Sequence, residues 1–103
     1  MTKGTTKASV SYEEGLLHDL TDPEEAAAYL NAALEEGTQE IFLLALRDVA
    51  NARGLTQLAR ETSLNREKLY RMLSEKGNPR LFSLTTLLDA MGLQIAVKPK
   101  RAA

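Results

Sequence analysis

The chain has 103 residues, of which 44% are hydrophobic and 26% charged, the proportions of a single globular domain. Cysteine is absent and histidine occurs once, as His18, which excludes disulfides, zinc constellations and any workable Cys–His or Ser–His–Asp machinery. No apolar run approaches the ~18 residues of a spanning helix, and the polar start "MTKGTTKAS" has no apolar stretch behind it, so the expectation is a cytoplasmic protein that does not touch membranes.

The net charge of −1 conceals an uneven distribution. Residues 1–50 carry 3 Lys/Arg against 10 Asp/Glu, a balance of −7, whereas residues 51–103 carry 10 against 4, a balance of +6. Such halves point to two different partners, a polyanion for the basic one.

In chain order, residues 1–11 are polar and predict a mobile segment, extending with less definition to residue 19. "YEEGLLHDL" places Tyr12, Leu16, Leu17 and Leu20 at helical spacing, although Gly15 weakens the pattern by about 1 kcal/mol relative to Ala. "DPEEAAAYLNAALEEG" is clearer. Asp22 is an N-cap, Pro23 stands at the first helical position, Glu25 completes a capping-box pattern, and Gly37 ends the helix. "TQEIFLLALRDVANARG" starts a second helix at Thr38 and ends it at Gly54. Its stretch Ile41 to Leu46 is apolar on nearly every side, which predicts a position at the middle of the domain.

The stretch "LTQLARETSLNREKLYRMLSEKGNPR" can be read as one long helix or as two short ones. Leu55, Leu58, Ala59, Thr62, Leu69, Met72 and Leu73 fall on one broad face, which permits continuity. Three features favour a break. Asn65 and Arg66 lie where the apolar stripe should be, Leu64 lies where solvent should be, and Thr62, Ser63 and Asn65 compete with helical hydrogen bonds. The prediction is a helix over 56–62, a turn at 63–64 plugged by Leu64, and a second helix capped by Asn65. Gly77 and Asn78–Pro79 then force a further turn. Ser83 is read as the cap of "SLTTLLDAMG", which Gly92 ends. "LQIAV" alternates as a strand over residues 93–97, and residues 98–103 form a basic tail. A lone strand needs a partner. The candidates are "ASVSY", Ala8 to Tyr12, or a second copy pairing through Leu93, Ile95 and Val97.

Two close-coupled helices with a polar outer face on the second are the spacing of a helix-turn-helix, with the motif at about 55–74. Ala59 sits at the helix crossing, and Leu69 and Met72 face inward. Asn65, Arg66, Glu67, Tyr70 and Arg71 are left to reach base edges in a major groove. Arg pairs bidentately with guanine and Asn with adenine, each worth about 1–3 kcal/mol of discrimination. Thr56 and Gln57 at the start of the first helix, and Lys76, Asn78 and Arg80 on the following loop, suit phosphates. The plainer reading of the same residues is a helical hairpin with a solvated face. The paired carboxylates Glu24–Glu25 and Glu35–Glu36 read as helix-end residues rather than an acid–base pair, so no enzyme, cofactor or metal is expected.

The segments "AAAYLNAALEEG", "FLLALRDVANARG", "QLARETSLNREKLYRMLSEKGNPR" and "LLDAMGLQIAV", in this order and spacing, resemble the addiction module antidote proteins, HigA-like antitoxins of type II toxin–antitoxin systems. The resemblance spans Leu20 to Val97, and "LYRMLSEKGNPR" is its most specific part. It implies a mainly α fold: a five-helix repressor-like helix-turn-helix domain over residues 20–97, here ending in the short C-terminal β-strand. It further implies a homodimer, a small basic RelE/ParE-type RNA-cleaving toxin as partner, and double-stranded DNA of its own operon as target. One departure stands at Ser63, where many such motifs have Gly. If the backbone is left-handed there, Ser costs about 1 kcal/mol. The alternative function is a stand-alone prophage-type repressor with no toxin partner.

Overall fold

The computed structural model describes residues 15, 18–74 and 76–101. The expected mobile segment 1–11 and the strand candidate Ala8–Tyr12 lie outside these residues. Gly15, His18 and Asp19 are helical, and the turn closes with the Thr21 and Asp22 N–H groups donating to the His18 and Asp19 carbonyls. Five helices then follow among the described residues: α1, Pro23–Glu36; α2, Gln39–Arg53; α3, Leu55–Thr62; α4, Arg66–Met72; and α5, Leu81–Ala90.

The helix ends follow local chemistry. The Asp22 side chain accepts from the Glu24 N–H at 3.4 Å, with Pro23 opening α1. The capping box expected with Glu25 does not form, because the Asp22 N–H is already committed to the Asp19 carbonyl at 3.0 Å. Gly37 ends α1 in the left-handed region (φ 89°), and one residue later the Thr38 hydroxyl accepts from the Ile41 N–H at 3.2 Å to start α2. The α5 start differs from expectation. Arg80, not Ser83, is its N-cap, and Ser83 is buried one turn inside. The chain turns helical almost as soon as it leaves Pro79, so the capping chemistry of Ser83 goes unused.

The core is a leucine cluster contributed by every helix. Leu43, Leu46, Val49, Leu58, Leu69, Leu73, Leu87 and Met91 are all less than about 2% exposed. At 100° per residue, Gln39, Leu43, Leu46 and Ala50 share one side of α2, and Ile41, Leu44, Ala45 and Asp48 share the opposite one. The first side is the centre of the domain. The second is not wholly enclosed: Ile41 and Leu44 are 38% and 39% exposed, so the apolar run is wider than the core it fills.

The C-terminal strand expected over residues 93–97 is absent, and no strand occurs among the described residues. The Gly92 N–H donates to the Asp89 carbonyl and the Leu93 N–H to the Leu88 carbonyl, with Gly92 at φ 77°. This is a Schellman cap, which brings Leu93 back against the helix it terminates. Leu93 is therefore half-buried by a helix end rather than by strand alternation, and beyond it no backbone hydrogen bond forms among the described residues. Ile95 and Val97 are 46% and 94% exposed, and Lys98 to Arg101 are exposed and irregular.

Among the described non-glycine residues, only Ser63 has positive φ, at 63°, ψ 13°. Relief of this strain gives a direct test. Ser63→Gly is expected to raise the stability of the chain by about 1 kcal/mol, read as a higher urea midpoint at unchanged slope. An unchanged or lower midpoint would show that the Ser63 conformation carries no net cost.

Candidate nucleic-acid interface

The break between α3 and α4 is made by three adjacent side chains. The Thr62 hydroxyl donates to the Leu58 carbonyl at 2.6 Å and accepts from the Leu64 N–H at 3.2 Å. One buried oxygen thus satisfies a carbonyl of the ending helix and an amide of the turn. Ser63 takes the left-handed turn, and Leu64, 9% exposed, drops into the core. Asn65 then starts α4, its Oδ1 accepting from the Lys68 N–H at 2.7 Å. The two helices and the turn thus fall where the sequence places them, with α3 beginning one residue earlier at Leu55. Half-buried Ala59 packs against the core cluster.

Leu69 and Met72 hold α4 to the core, so Asn65, Arg66, Glu67, Lys68, Tyr70 and Arg71 are all exposed on its outer side. Two of these are already organised. Arg66 Nη2 donates to the Tyr70 hydroxyl at 3.2 Å, and its guanidinium lies 5.8 Å from the Tyr70 ring centroid, within cation–π range. Asn65 Oδ1 is spent on the helix cap, which leaves its amide N–H groups as the free recognition atoms.

The loop after α4 is fixed by two side chains of α2. Arg47 Nε donates to the Leu73 carbonyl at 3.0 Å, and Gln39 Nε2 to the Gly77 carbonyl at 2.9 Å. This fixed path brings Asn78 and Arg80 beside Lys68 and Arg71, which together line a shallow cleft between α4 and the start of α5. Lys76 is exposed on the same loop. Of the remaining expected contacts, Thr56 and Gln57 are exposed on the first turn of α3, but the Gln57 amide is engaged by Glu61 at 3.0 Å. The sequence pattern did not place Lys68 among the contact residues, nor Gln39 and Arg47 as supports. Arg47 did carry a signal: a lone cation at the end of an apolar helical run needs an acceptor. Leu93, Ile95 and Val97 are separate from this cluster: Leu93 and Ile95 line an apolar groove with Leu30 and Leu88, and Val97 is exposed.

Among the described residues no group of His, Asp and Glu side chains could hold a metal ion, and no helix is long and apolar enough to cross a membrane. The described residues thus form a small helical domain that turns a short cationic helix outward, with a braced basic loop beside it. Over residues 13–99 the chain matches the family described as "Probable addiction module antidote protein", and it belongs to that family. A protein of Haemophilus influenzae strain Rd, described as uncharacterized, is 42% identical over 84 residues, covering 82% of this chain and 87% of that relative. No solved structure matches. An antidote implies a toxin, so the family supplies one partner directly.

The loop geometry yields a prediction at Gly77. A Cβ there would lie 2.4 Å from the Met72 carbonyl oxygen and 2.7 Å from that of Arg71, both backbone atoms. Gly77→Ala is expected to cost about 1–3 kcal/mol, as overpacking does, and to displace Asn78 and Arg80 from α4. Thermal unfolding together with amide chemical shifts of residues 76–80 measures both effects. A variant with unaltered melting and unaltered shifts would mean that the loop does not follow this path.

Proposed function

We propose that the chain is a DNA-binding antitoxin of a type II toxin–antitoxin system, with α3 and α4 as a helix-turn-helix that represses its own operon, and that it neutralises a RelE/ParE-like toxin. It acts by binding alone and catalyses nothing. The observation that carries the DNA half of this reading is the convergence of Lys68, Arg71 and Arg80 at the cleft beside α4, with Arg66 exposed on the same helix. Arg66 and Arg71 are the base readers, with Tyr70 steadying Arg66. Arg80 and Lys76 follow the phosphates, and Lys68 joins them. Family membership favours this reading over a stand-alone repressor, because an antidote has a toxin to neutralise.

Two expectations separate the roles. A dimer touching about 6–8 phosphates should lose affinity for its upstream DNA with a log–log salt slope near −6. Arg66→Ala and Arg71→Ala should each cost about 1–3 kcal/mol and relax sequence preference, whereas Arg80→Ala should weaken all sequences alike. Fluorescence anisotropy with operator and random duplexes at several salt concentrations makes the comparison. Equal losses on both duplexes for all three variants would remove α4 from the bases.

Repression from paired half-sites calls for a homodimer, and the exposed segment around Ile95 and Val97 is where we place it, as a strand formed only when a second copy supplies its ladder partner. Such a dimer sets two copies of α4 about 34 Å apart. Ile95→Pro removes a ladder donor and should loosen the dimer and weaken operator binding without loss of helix. Sedimentation and circular dichroism report on this. The assignment fails if the wild type stays monomeric at tens of micromolar, roughly the range in which a repressor dimer should form, or if the proline variant dimerises as before.

A further inference from the structure

The acidic half of the chain has its own surface. Tyr29 and Ala32 from α1, and Ile41 and Leu44 from α2, line a groove whose edges carry Glu36 and Asp48. The Tyr29 hydroxyl donates to Asp48 Oδ2 at 2.6 Å, which holds that carboxylate at the groove wall. Ile41 and Leu44 are more than a third exposed here although their helix supplies five buried residues to the core. Glu25 lies one turn before Tyr29 on α1, and Glu40 one turn before Leu44 on α2, so both extend the acidic edges.

Charge determines what can cover these apolar side chains. Between Lys7 and Arg47 the sequence contains no lysine or arginine. The two arginines of α2 are turned elsewhere: Arg47 donates to the Leu73 carbonyl and Arg53 Nη2 to the Met91 carbonyl at 3.0 Å. Among the described residues no cation lines the groove, and a second copy docked through the same face would bring carboxylates against carboxylates. DNA is repelled for the same reason. A cationic protein surface with protruding apolar anchors satisfies both the apolar floor and the acidic edges.

We infer that the α1–α2 groove is the toxin-binding surface, with Ile41 and Leu44 receiving apolar anchors and Glu36, Glu40 and Asp48 meeting lysines or arginines of the toxin. This rests on the antitoxin reading and adds to it the place and chemistry of the contact. It also puts the contact on the side of α2 opposite Gln39, Leu43 and Leu46, away from α4.

The test uses the full-length chain and, as probe, the purified product of the reading frame adjacent to its gene. Leu44→Lys should weaken toxin binding about 30-fold or more, as loss of a central anchor does. Glu36→Lys with Glu40→Lys should weaken it about tenfold at 0.1 M salt and much less at 0.5 M, where exposed charges are screened. Both variants should keep wild-type helicity and operator affinity. If Leu44→Lys proves poorly folded, Ile41→Gln takes its place with the same expectation. Folded variants that bind toxin like the wild type overturn the groove assignment and leave the antitoxin reading standing. Toxin binding by the wild type that ignores salt overturns it as well. A wild type that does not bind the adjacent product at all overturns both.

Discussion

The Thr62 hydroxyl is the point on which the arrangement of α3 and α4 depends. A continuous helix through residues 55–73 is permitted by the phase of its leucines, and it would carry Arg66 and Arg71 on a rod instead of a short, angled element. By donating to the Leu58 carbonyl and accepting from the Leu64 N–H, Thr62 stabilises the end of one helix and the start of the turn with a single buried group. Ser63 opposes this locally, because a left-handed serine costs about 1 kcal/mol. Burial of Leu64 offsets that cost, since a leucine moved from water to a core contributes about 1.5–3 kcal/mol. The bend persists because the core term is larger than the backbone term.

α2 transmits that local geometry to the binding face. One side of it packs Leu43 and Leu46 into the core while Gln39 and Arg47 hold the loop after α4 by its carbonyls. A hydrogen bond from a charged donor to a carbonyl contributes about 1.5–3 kcal/mol. It also acts on a loop that has no regular structure of its own. Gly77 belongs to the same device, because its backbone comes so near the end of α4 that no side chain fits there. The basic side chains on α4 and its following loop are thus placed by apolar packing and by hydrogen bonds from α2 behind them, not by one another.

Most helix boundaries were legible because they are written in short-range chemistry: Asp22–Pro23 and Gly37 around α1, Thr38 and Gly54 around α2, and Asn65 before α4. The pattern failed where the outcome depended on what lay elsewhere in space. Ser83 looks like a cap, but Arg80 takes the extended N-cap position three residues earlier and leaves Ser83 inside the helix. Leu93, Ile95 and Val97 alternate like a strand, yet no second strand exists among the described residues to pair with them, and Gly92 takes Leu93 for a helix cap. Ile41 and Leu44 read as core because hydrophobicity records only that a residue avoids water, not which molecule will cover it. The outer residues of α4 were recoverable from the sequence because the inward anchors Leu69 and Met72 fix their phase. Gln39 and Arg47 were not, since their acceptors lie more than 25 residues away along the chain.

On the proposed reading, the separation of the two charged faces limits how toxin and DNA can influence each other. The α1–α2 groove and the cationic side of α4 lie on opposite sides of α2, with at least one helix, roughly 10 Å across, between them. At physiological ionic strength the screening length is about 8 Å, so neutralising the acidic edges can alter DNA affinity only weakly through space. A ligand with the same affinity for every state of the chain shifts nothing, however tightly it binds. Strong coupling would therefore have to pass through a change in association state, with toxin binding favouring or opposing the proposed dimer on two half-sites. Reciprocity then requires operator DNA to alter toxin affinity by the same factor. If such coupling is large, its proposed seat is the Ile95–Val97 segment, which belongs to neither charged face and is exposed.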